Sequence, residues 1–236
     1  MTDPDVLALG WVADVVGSSD IAVLRGLREG ASPWLLRAGG RELVLRVGQL
    51  ADAASFATEV AALRLAAQAA IPVAPLLAHD DGTAVGVPLV LTERLPGSSL
   101  IPVAPSPARL RALGAAAARL HAVSLEPTAE LPARDRPIAG EDFAKMRREQ
   151  KADGLLEEAE TLIGRTAPTN CRSVFVHGDL WHGNTLWEDG ILTGLVDWDC
   201  AGAPGVDFGS LRCDAAICYG AQAPAEVLRG WDPRMA

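Results

Sequence analysis

FVHGDLWHGNTLWEDG, residues 175–190, gathers polar side chains between two apolar segments. It contains His177 and His182, two of only four histidines in the chain. Asp179 and Asn184 stand beside them in the same stretch. Three interpretations fit these residue types: a metal site built on histidines, a catalytic loop, or a polar turn.

The spacing of the oxygen-bearing side chains favours the catalytic loop. The stretch reads His-x-Asp-x4-Asn, and Asp197 follows thirteen residues after Asn184, just past the apolar segment 191–196. Phosphoryl transfer from ATP requires a carboxylate near the attacking hydroxyl and hard oxygen ligands for Mg²⁺. Asp179, Asn184 and Asp197 supply this set. We therefore expect the strand 191–196 to present Asp197 beside Asn184.

Other interpretations of these residues fit less well. A zinc site would need three or four nitrogen or sulfur ligands at tetrahedral spacing, and Cys171 and Cys200 are poorly placed for that. A metallophosphoesterase would need further histidines downstream, whereas none follows His182. Taken alone, Asp197 and Asp199 would be ordinary turn acids. Their position after an apolar strand favours a functional role.

The composition indicates a globular protein. The 236 residues are 49% hydrophobic, which is enough to fill a core. A net charge of −9 argues against a nucleic-acid partner, and it weakly favours a cationic substrate. The four cysteines form no CxxC pair, so we expect reduced thiols. The N-terminus lacks a secretory signal and no apolar run approaches the ~20 residues of a membrane span, so we expect a cytoplasmic protein with no membrane partner.

The first half of the chain predicts an antiparallel sheet with one helix. A candidate helix over residues 4–16 precedes three short strand-like segments. Residues 51–70 then carry apolar side chains at helical spacing. Two more strand-like segments, 73–79 and 87–95, flank a turn signal. We expect a five-stranded antiparallel sheet with a helix inserted after the third strand.

The second half is predominantly helical. Helical patterns cover residues 106–125 and 141–164. The short segments SVFV, residues 173–176, and ILTGLV, residues 191–196, predict two strands that flank the polar loop.

These motifs resemble those of the aminoglycoside phosphotransferase family, which is related to the protein kinases. HGDLWHGN followed by LVDWD resembles its catalytic loop and the hairpin that ends in a metal-binding Asp. GVDFGSLR and ARLHAVSL resemble further family segments, and LVLRVG, TEVAALRLAA, IPVAPLLAHDDG and LVLTERLPG occur in the family's order. The resemblance covers nearly the whole chain. It implies an α+β, two-lobed, protein-kinase-like fold with a nucleotide-binding lobe over residues 1–95 and a catalytic and substrate lobe over 96–236.

The resemblance implies roles for the polar residues of the loop. Asp179 would orient the substrate hydroxyl and accept its proton. Asn184 and Asp197 would hold Mg²⁺ on the phosphates of ATP. Asp199 would assist the metal or bind a cationic substrate.

It also implies supporting and nucleotide-binding residues. His177 would position the loop by hydrogen bonding, and Asp207 would brace it from the following helix. The adenine would meet backbone groups of Glu93 and Leu95.

The nucleotide-binding half departs from the kinase pattern in two places. Arg46 stands on the third strand where kinases have a lysine for the α- and β-phosphates, and Glu59 is its expected ion-pair partner. The turn between the first two strands is poor in glycine. This leaves Gly26, Gly30 and Ser32 as candidates to cover the phosphates.

The implied function is transfer of the γ-phosphate of Mg-ATP to a hydroxyl of a small, cationic molecule such as an aminoglycoside. Only nine residues separate Asp197 from Asp207, too few for the activation segment of a protein kinase. Related kinases act on macrolides, choline, homoserine, fructosamines and sugars. Because family members continue for several helices beyond residues 223–236, we expect truncated C-terminal helices. Together with Arg46 and the glycine-poor turn, this motivates the alternative of a non-catalytic, kinase-like nucleotide-binding module.

Overall fold

The computed structural model describes residues 4–28, 31–134, 145–146, 149, 154–166, 172–205 and 207–232. Its first half contains helix α1 (Pro4–Val16), strands β1 (Ile21–Arg28), β2 (Ala31–Ala38) and β3 (Arg41–Val47), a 3₁₀ turn (Leu50–Asp52), helix α2 (Ala53–Gln68), and strands β4 (Leu76–Asp81) and β5 (Pro88–Glu93). Within the described residues, these strands form one antiparallel sheet in the order β1-β2-β3-β5-β4. The predicted five-stranded sheet with a helix after its third strand is confirmed.

Helix α2 ends in a Schellman motif, although no glycine is present. Ala70 adopts φ of 54°, the left-handed conformation that usually belongs to glycine at this position. The N–H of Ile71 donates to the carbonyl of Ala66, and the N–H of Ala70 donates to that of Ala67. The helix therefore stops shortly before Pro72, as its sequence predicts.

The second half contains helices α3 (Pro107–His121) and α4 (Gly154–Thr166), a 3₁₀ turn (His182–Asn184), strands β6 (Thr185–Glu188) and β7 (Ile191–Leu195), and helices α5 (Asp207–Tyr219) and α6 (Ala223–Trp231). The first part of the helix predicted over 141–164 lies mostly outside the described residues. Among the described residues, none of the helices combines the length and apolar character needed to cross a membrane.

The hairpin beside the polar loop differs from its prediction. SVFV forms only isolated bridges, from Val174 to Ser124 and from Val176 to Gly202, so its prediction as a strand is wrong. The partner of β7 is instead β6, a segment that lies inside the predicted loop. Asp189 and Gly190 both have positive φ, 50° and 79°, which is the geometry of a tight hairpin turn with the right twist. The Asp-Gly dipeptide was the local signal for this turn.

The two halves share hydrophobic packing and backbone hydrogen bonds. Helix α1 packs on the sheet in a smaller cluster, whereas α2 contributes to a larger cluster that continues into α3, the hairpin and α5. Ser98 and Trp187 exchange backbone hydrogen bonds of 2.9 and 3.0 Å. Leu195 donates to the carbonyl of Pro72 at 2.9 Å. These bonds attach the hairpin to the segments that follow α2 and β5. The boundary between the two lobes at residue 95 stays a prediction.

Helices α3 and α6 cross at very close range through two glycines. A Cβ added at Gly114 would overlap the carbonyl oxygen of Val227, and one added at Gly230 would overlap that of Arg111. Close approach of the two backbones thus depends on the absence of a side chain at both positions. This crossing anchors α6 against the centre of the second half.

We expect Gly114→Ala to lower the free energy of unfolding by about 2 kcal/mol, because a methyl group would force the two helices apart. Gly164→Ala is the matched control. Gly164 lies on the exposed helix α4, and a Cβ added there would have nothing within 4 Å. Because alanine has a higher helix propensity than glycine, this variant should gain up to about 1 kcal/mol of stability. Urea unfolding of both variants measures the difference, and equal stability of the two would contradict the close crossing.

Candidate active site

A cavity of about 600 Å³ lies between the sheet and the β6–β7 hairpin. The cavity is lined by residues of β1, β2, β3, α2, β5 and the hairpin. The sequence-predicted site residues that line it are Arg46, Glu59, Glu93, Leu95, Asn184 and Asp197. Gly26 also lines the cavity, Gly30 lies outside the described residues, and Ser32 is not among the described lining residues. The Ser32 hydroxyl instead accepts a hydrogen bond from the N–H of Val47 at 2.7 Å.

Asp179 and Asn184 are joined directly by hydrogen bonds. The Asn184 Nδ2 donates to the Asp179 carbonyl oxygen at 2.9 Å and to its Oδ2 at 3.0 Å. Burial raises the pKa of the half-buried Asp179 carboxyl, and the bond from Asn184 opposes that rise. Because the amide nitrogen of Asn184 is used in this way, its Oδ1 is left as an oxygen that can coordinate a cation.

Asp207 holds the backbone of the loop immediately before Asp179. Its buried carboxylate accepts hydrogen bonds from the N–H of His177 at 2.6 Å and of Gly178 at 2.8 Å. Burial raises the pKa of Asp207 to about 6, while these two bonds favour the charged form. Gly178 has φ of 83°, and a Cβ there would overlap the carbonyl oxygen of Cys200. Only glycine fits this position without moving the loop.

His177 is fully buried and links the loop to the end of β7. Its Nε2 donates to the carbonyl of Val196 at 2.9 Å, and its ring lies 4.4 Å from that of Trp198. Burial lowers the pKa of the imidazole to about 4, so the ring is neutral at pH 7. The contacts are those of a residue that positions the loop.

The stability of the protein should depend on pH through His177. In the unfolded chain the imidazole titrates near pH 6.5, so between about pH 6.5 and 4 the unfolded state binds a proton that the folded state rejects. Stability is thus lost as the pH falls through this window, by up to about 3 kcal/mol from this group. His177→Gln should show a flatter profile, measured by urea unfolding from about pH 7 to 4. Parallel profiles for variant and wild type would contradict the assignment.

Arg46 joins three carboxylates at the wall of the cavity. Its Nη1 lies 2.7 Å from Glu59 Oε2 and 3.6 Å from Asp197 Oδ1, and its Nη2 lies 3.2 Å from Asp199 Oδ2. Although burial disfavours the charge, these carboxylates together raise the pKa of Arg46 above its usual value. Burial also raises the pKa of the Glu59 carboxyl, and Arg46 opposes that rise. Arg46 therefore remains a cation that faces the cavity.

Asp197 directly follows β7 and has φ of 69°, a left-handed conformation that aspartate adopts more readily than most residues. The chain before it is held beside the loop, because the N–H of Val196 donates to the carbonyl of Asn184 at 3.0 Å. Arg28, which was not predicted as a site residue, places its Nη2 2.9 Å from Asp197 Oδ2. Arg28 lies 169 residues away in the chain, so no local pattern pointed to it.

The residues at the hairpin fit a magnesium ion. Asp197 offers a carboxylate and Asn184 an amide oxygen, and both are hard oxygen donors of the kind that Mg²⁺ prefers. Asp199 is not among the described lining residues of the cavity, and its carboxylate contacts Arg46.

The histidine that could have formed a different metal site has another role. His182, Asp214 and Cys218 place possible ligand atoms within 4.8 Å of one another. The His182 Nδ1, however, is in a close hydrogen bond with Asp214, and the His182 N–H donates to the same carboxylate at 3.0 Å. These bonds attach the loop to α5. Asp214 was not predicted, because it lies 32 residues further along the chain.

Solved structures share this fold. Aminoglycoside-3'-phosphotransferase of type VIII matches with a TM-score of 0.63 and 24% identity, over 91% of this chain and 86% of that one. Macrolide 2'-phosphotransferase MphH from Brachybacterium faecium gives a TM-score of 0.65 and 22% identity, over 94% and 82%. The streptomycin-ATP-APH(2")-IIa ternary complex gives 0.69 and 13%, over 98% and 85%.

Sequence comparison identifies the family. No curated protein sequence matches the chain significantly. The model of the phosphotransferase enzyme family, however, matches residues 23–234, which is most of the chain. This match confirms the resemblance to the aminoglycoside phosphotransferases, and the likeness to solved structures confirms the kinase-like fold that it implied. The chain therefore belongs to the phosphotransferase enzyme family and is a small-molecule phosphotransferase.

Proposed function

We propose that the protein transfers the γ-phosphate of Mg-ATP to a hydroxyl of a small, amine-bearing molecule, and that Asp179 is its catalytic base. The observation that carries the proposal is the grouping of three side chains around the end of the loop: Asn184 and Asp197 line the cavity, and Asp179 is bonded to Asn184 just beyond its described lining. This set has one carboxylate for the acceptor hydroxyl and two oxygen ligands for a metal. Phosphoryl transfer needs little else beyond positioning and charge neutralisation.

The cavity supports a nucleotide whose base lies at the segment after β5. Glu93 and Leu95 line the cavity there. The described residues supply no hydrogen-bond acceptor to the N–H of Leu95, so this donor is available to a base. The Glu93 side chain is paired with Arg41 and its N–H donates to the carbonyl of Pro75 at 2.9 Å, so its backbone carbonyl is the group that we propose for the base. The APH(2")-IIa complex contains ATP and the amicoumacin kinase complex contains AMP-PNP and Ca²⁺, which supports a metal nucleotide here.

Asn184 and Asp197 would hold Mg²⁺, which supplies charge neutralisation of the transferred phosphoryl group when it is bound. Arg46 would contact the phosphates as a cation, in the role that a lysine has in kinases. Glu59 keeps the Arg46 guanidinium at the cavity wall through a 2.7 Å ion pair.

Asp179 would accept the proton of the acceptor hydroxyl. Its Oδ2 is held by Asn184 at 3.0 Å, which fixes the carboxylate against the metal-binding side of the site. The raised pKa of Asp179 makes it a stronger base than an ordinary aspartate, since a base is most effective when its pKa approaches the working pH.

The preference for an amine-bearing acceptor rests on the net charge of −9 and on the carboxylate at the acceptor site. Structures with the same fold include enzymes named for aminoglycosides, macrolides and amicoumacin. Aminoglycosides are the first class to test, because they combine several amines with several hydroxyls.

The test is incubation of the purified protein with Mg-ATP or Mg-GTP and a panel of aminoglycosides, macrolides, choline, homoserine, fructosamines and sugars. Mass spectrometry of each acceptor detects the added phosphoryl group. We expect product with at least one aminoglycoside, and much slower formation of that product with Asp179→Asn. Product from an uncharged sugar alone would contradict the amine preference. Mg-ATP binding without product in any class would favour the nucleotide-binding module instead.

A further inference from the structure

Arg28 and Arg46 approach the same carboxylate from two strands of the sheet. Arg28 Nη2 lies 2.9 Å from Asp197 Oδ2, and Arg46 Nη1 lies 3.6 Å from Asp197 Oδ1. Each oxygen of Asp197 thus faces one guanidinium. Both arginines also line the cavity. The carboxylate proposed to bind the metal is therefore neutralised by protein cations in this structure.

The two arginines are held very differently. Arg46 has two further carboxylate partners, Glu59 and Asp199, and its side chain is only 18% exposed. Arg28 is 64% exposed, and Asp197 is the only partner that the described residues give it. An exposed ion pair of this kind contributes little to stability. Arg28 can therefore leave Asp197 at little cost, whereas Arg46 cannot.

A metal nucleotide would change the balance of charge at this point. Mg²⁺ on Asp197 would compete with Arg28 for the same carboxylate oxygens. The triphosphate of a bound nucleotide carries more negative charge than one Mg²⁺ neutralises. A guanidinium released from Asp197 would then lie at the edge of the cavity, where it can form charge-assisted hydrogen bonds with phosphate oxygens.

We propose that Arg28 is a phosphate-positioning residue that pairs with Asp197 in the nucleotide-free enzyme and moves to the nucleotide phosphates when the metal nucleotide binds. This inference rests on the proposed function, because it takes Asp197 as a metal ligand. It gives Arg28 two effects of opposite sign. Arg28 weakens the binding of a metal ion alone, and it strengthens the binding of the metal nucleotide.

The test compares Arg28→Met, Arg28→Lys and Arg37→Met. Arg37 is exposed on β2 and is not among the described lining residues, so Arg37→Met removes one charge from the same sheet as a control. Calorimetry measures the Kd of Mg-ATP and of adenosine, and electron paramagnetic resonance measures the binding of Mn²⁺ alone. Arg28→Met should weaken Mg-ATP about tenfold, leave adenosine unchanged and tighten Mn²⁺. Arg28→Lys should retain most of the Mg-ATP affinity, and Arg37→Met all of it.

Several results would overturn the role of Arg28. One is that Arg28→Met binds Mg-ATP as tightly as wild type, or more tightly. Another is that Arg28→Met loses affinity for adenosine and Mg-ATP equally, which would indicate a structural defect. If Arg28→Met fails to fold, Arg28→Gln takes its place in the same comparison. A wild-type protein that binds no Mg-ATP would instead count against the proposed function, so the two failures can be told apart.

Discussion

Replacing Asp179 with asparagine is expected to lower kcat by a factor of roughly 10²–10⁴, because the variant has no carboxylate to accept the proton of the acceptor hydroxyl. The fold should survive the change. Asn184 Nδ2 donates to the Asp179 carbonyl and to Oδ2, and the amide oxygen of an asparagine can accept the second bond in the same way. Nucleotide binding should also persist, since Asp179 is not among the described lining residues of the cavity.

Asp189→Asn is the matched control for this variant. It makes the same chemical change at an exposed position in the turn of the neighbouring hairpin. Asp189 has φ of 50°, and asparagine adopts that conformation as readily as aspartate. Steady-state kinetics with the acceptor identified by the panel would compare both variants with wild type. Turnover of Asp179→Asn within a few-fold of Asp189→Asn would show that the base lies elsewhere.

Replacing Asp197 with alanine is expected to abolish the dependence of nucleotide binding on Mg²⁺. The Kd of ATP should become the same with Mg²⁺ as with a chelator, because the charged ligand of the metal is gone. The loss should exceed that of any other single metal-ligand change, since Asn184 alone offers only a neutral oxygen. Calorimetric titration of ATP at fixed Mg²⁺ concentrations measures this dependence.

Asp197→Asn distinguishes the loss of metal binding from the strain that alanine would introduce into the backbone. Alanine at φ of 69° is strained, whereas asparagine keeps the conformation and removes only the charge. Both variants should lose the effect of Mg²⁺, and thermal unfolding should show a larger loss of stability for alanine. A normal Mg²⁺ dependence in both variants would place the metal on other residues.

The spacing of the polar loop was sufficient to predict that the end of β7 returns to Asn184, because the loop and β7 are close in sequence. One short hairpin separates Asn184 from Asp197 in the sequence. The apolar strand of that hairpin must therefore return the chain to the loop at Asp197. Helix α2 and the sheet were predictable for a similar reason, since apolar periodicity and turn residues act within a few positions.

Contacts between distant segments were not predictable from local pattern. Arg28 meets Asp197 only because β1 lies across the cavity from the hairpin, and nothing around Arg28 marks that pairing. Asp214 meets His182 because α5 packs under the loop. The error at SVFV has the same origin. Its apolar residues suit a strand, but the edge beside β7 is filled by β6, and this leaves Val174 and Val176 with isolated bridges.

The backbone bonds of Ser98 with Trp187 and of Leu195 with Pro72 have a consequence for how nucleotides are selected. They attach the segment after β5 and the segment after α2 to the β6–β7 hairpin, which Asp197 directly follows. The separation between Leu95, proposed to bind the base, and Asp197, proposed to bind the cation, is thereby set before any ligand arrives. We expect the protein to discriminate among nucleotides by the length of their phosphate chain, because the chain must span the fixed distance from Leu95 to Asp197. Closure of the two lobes should contribute little to this selection.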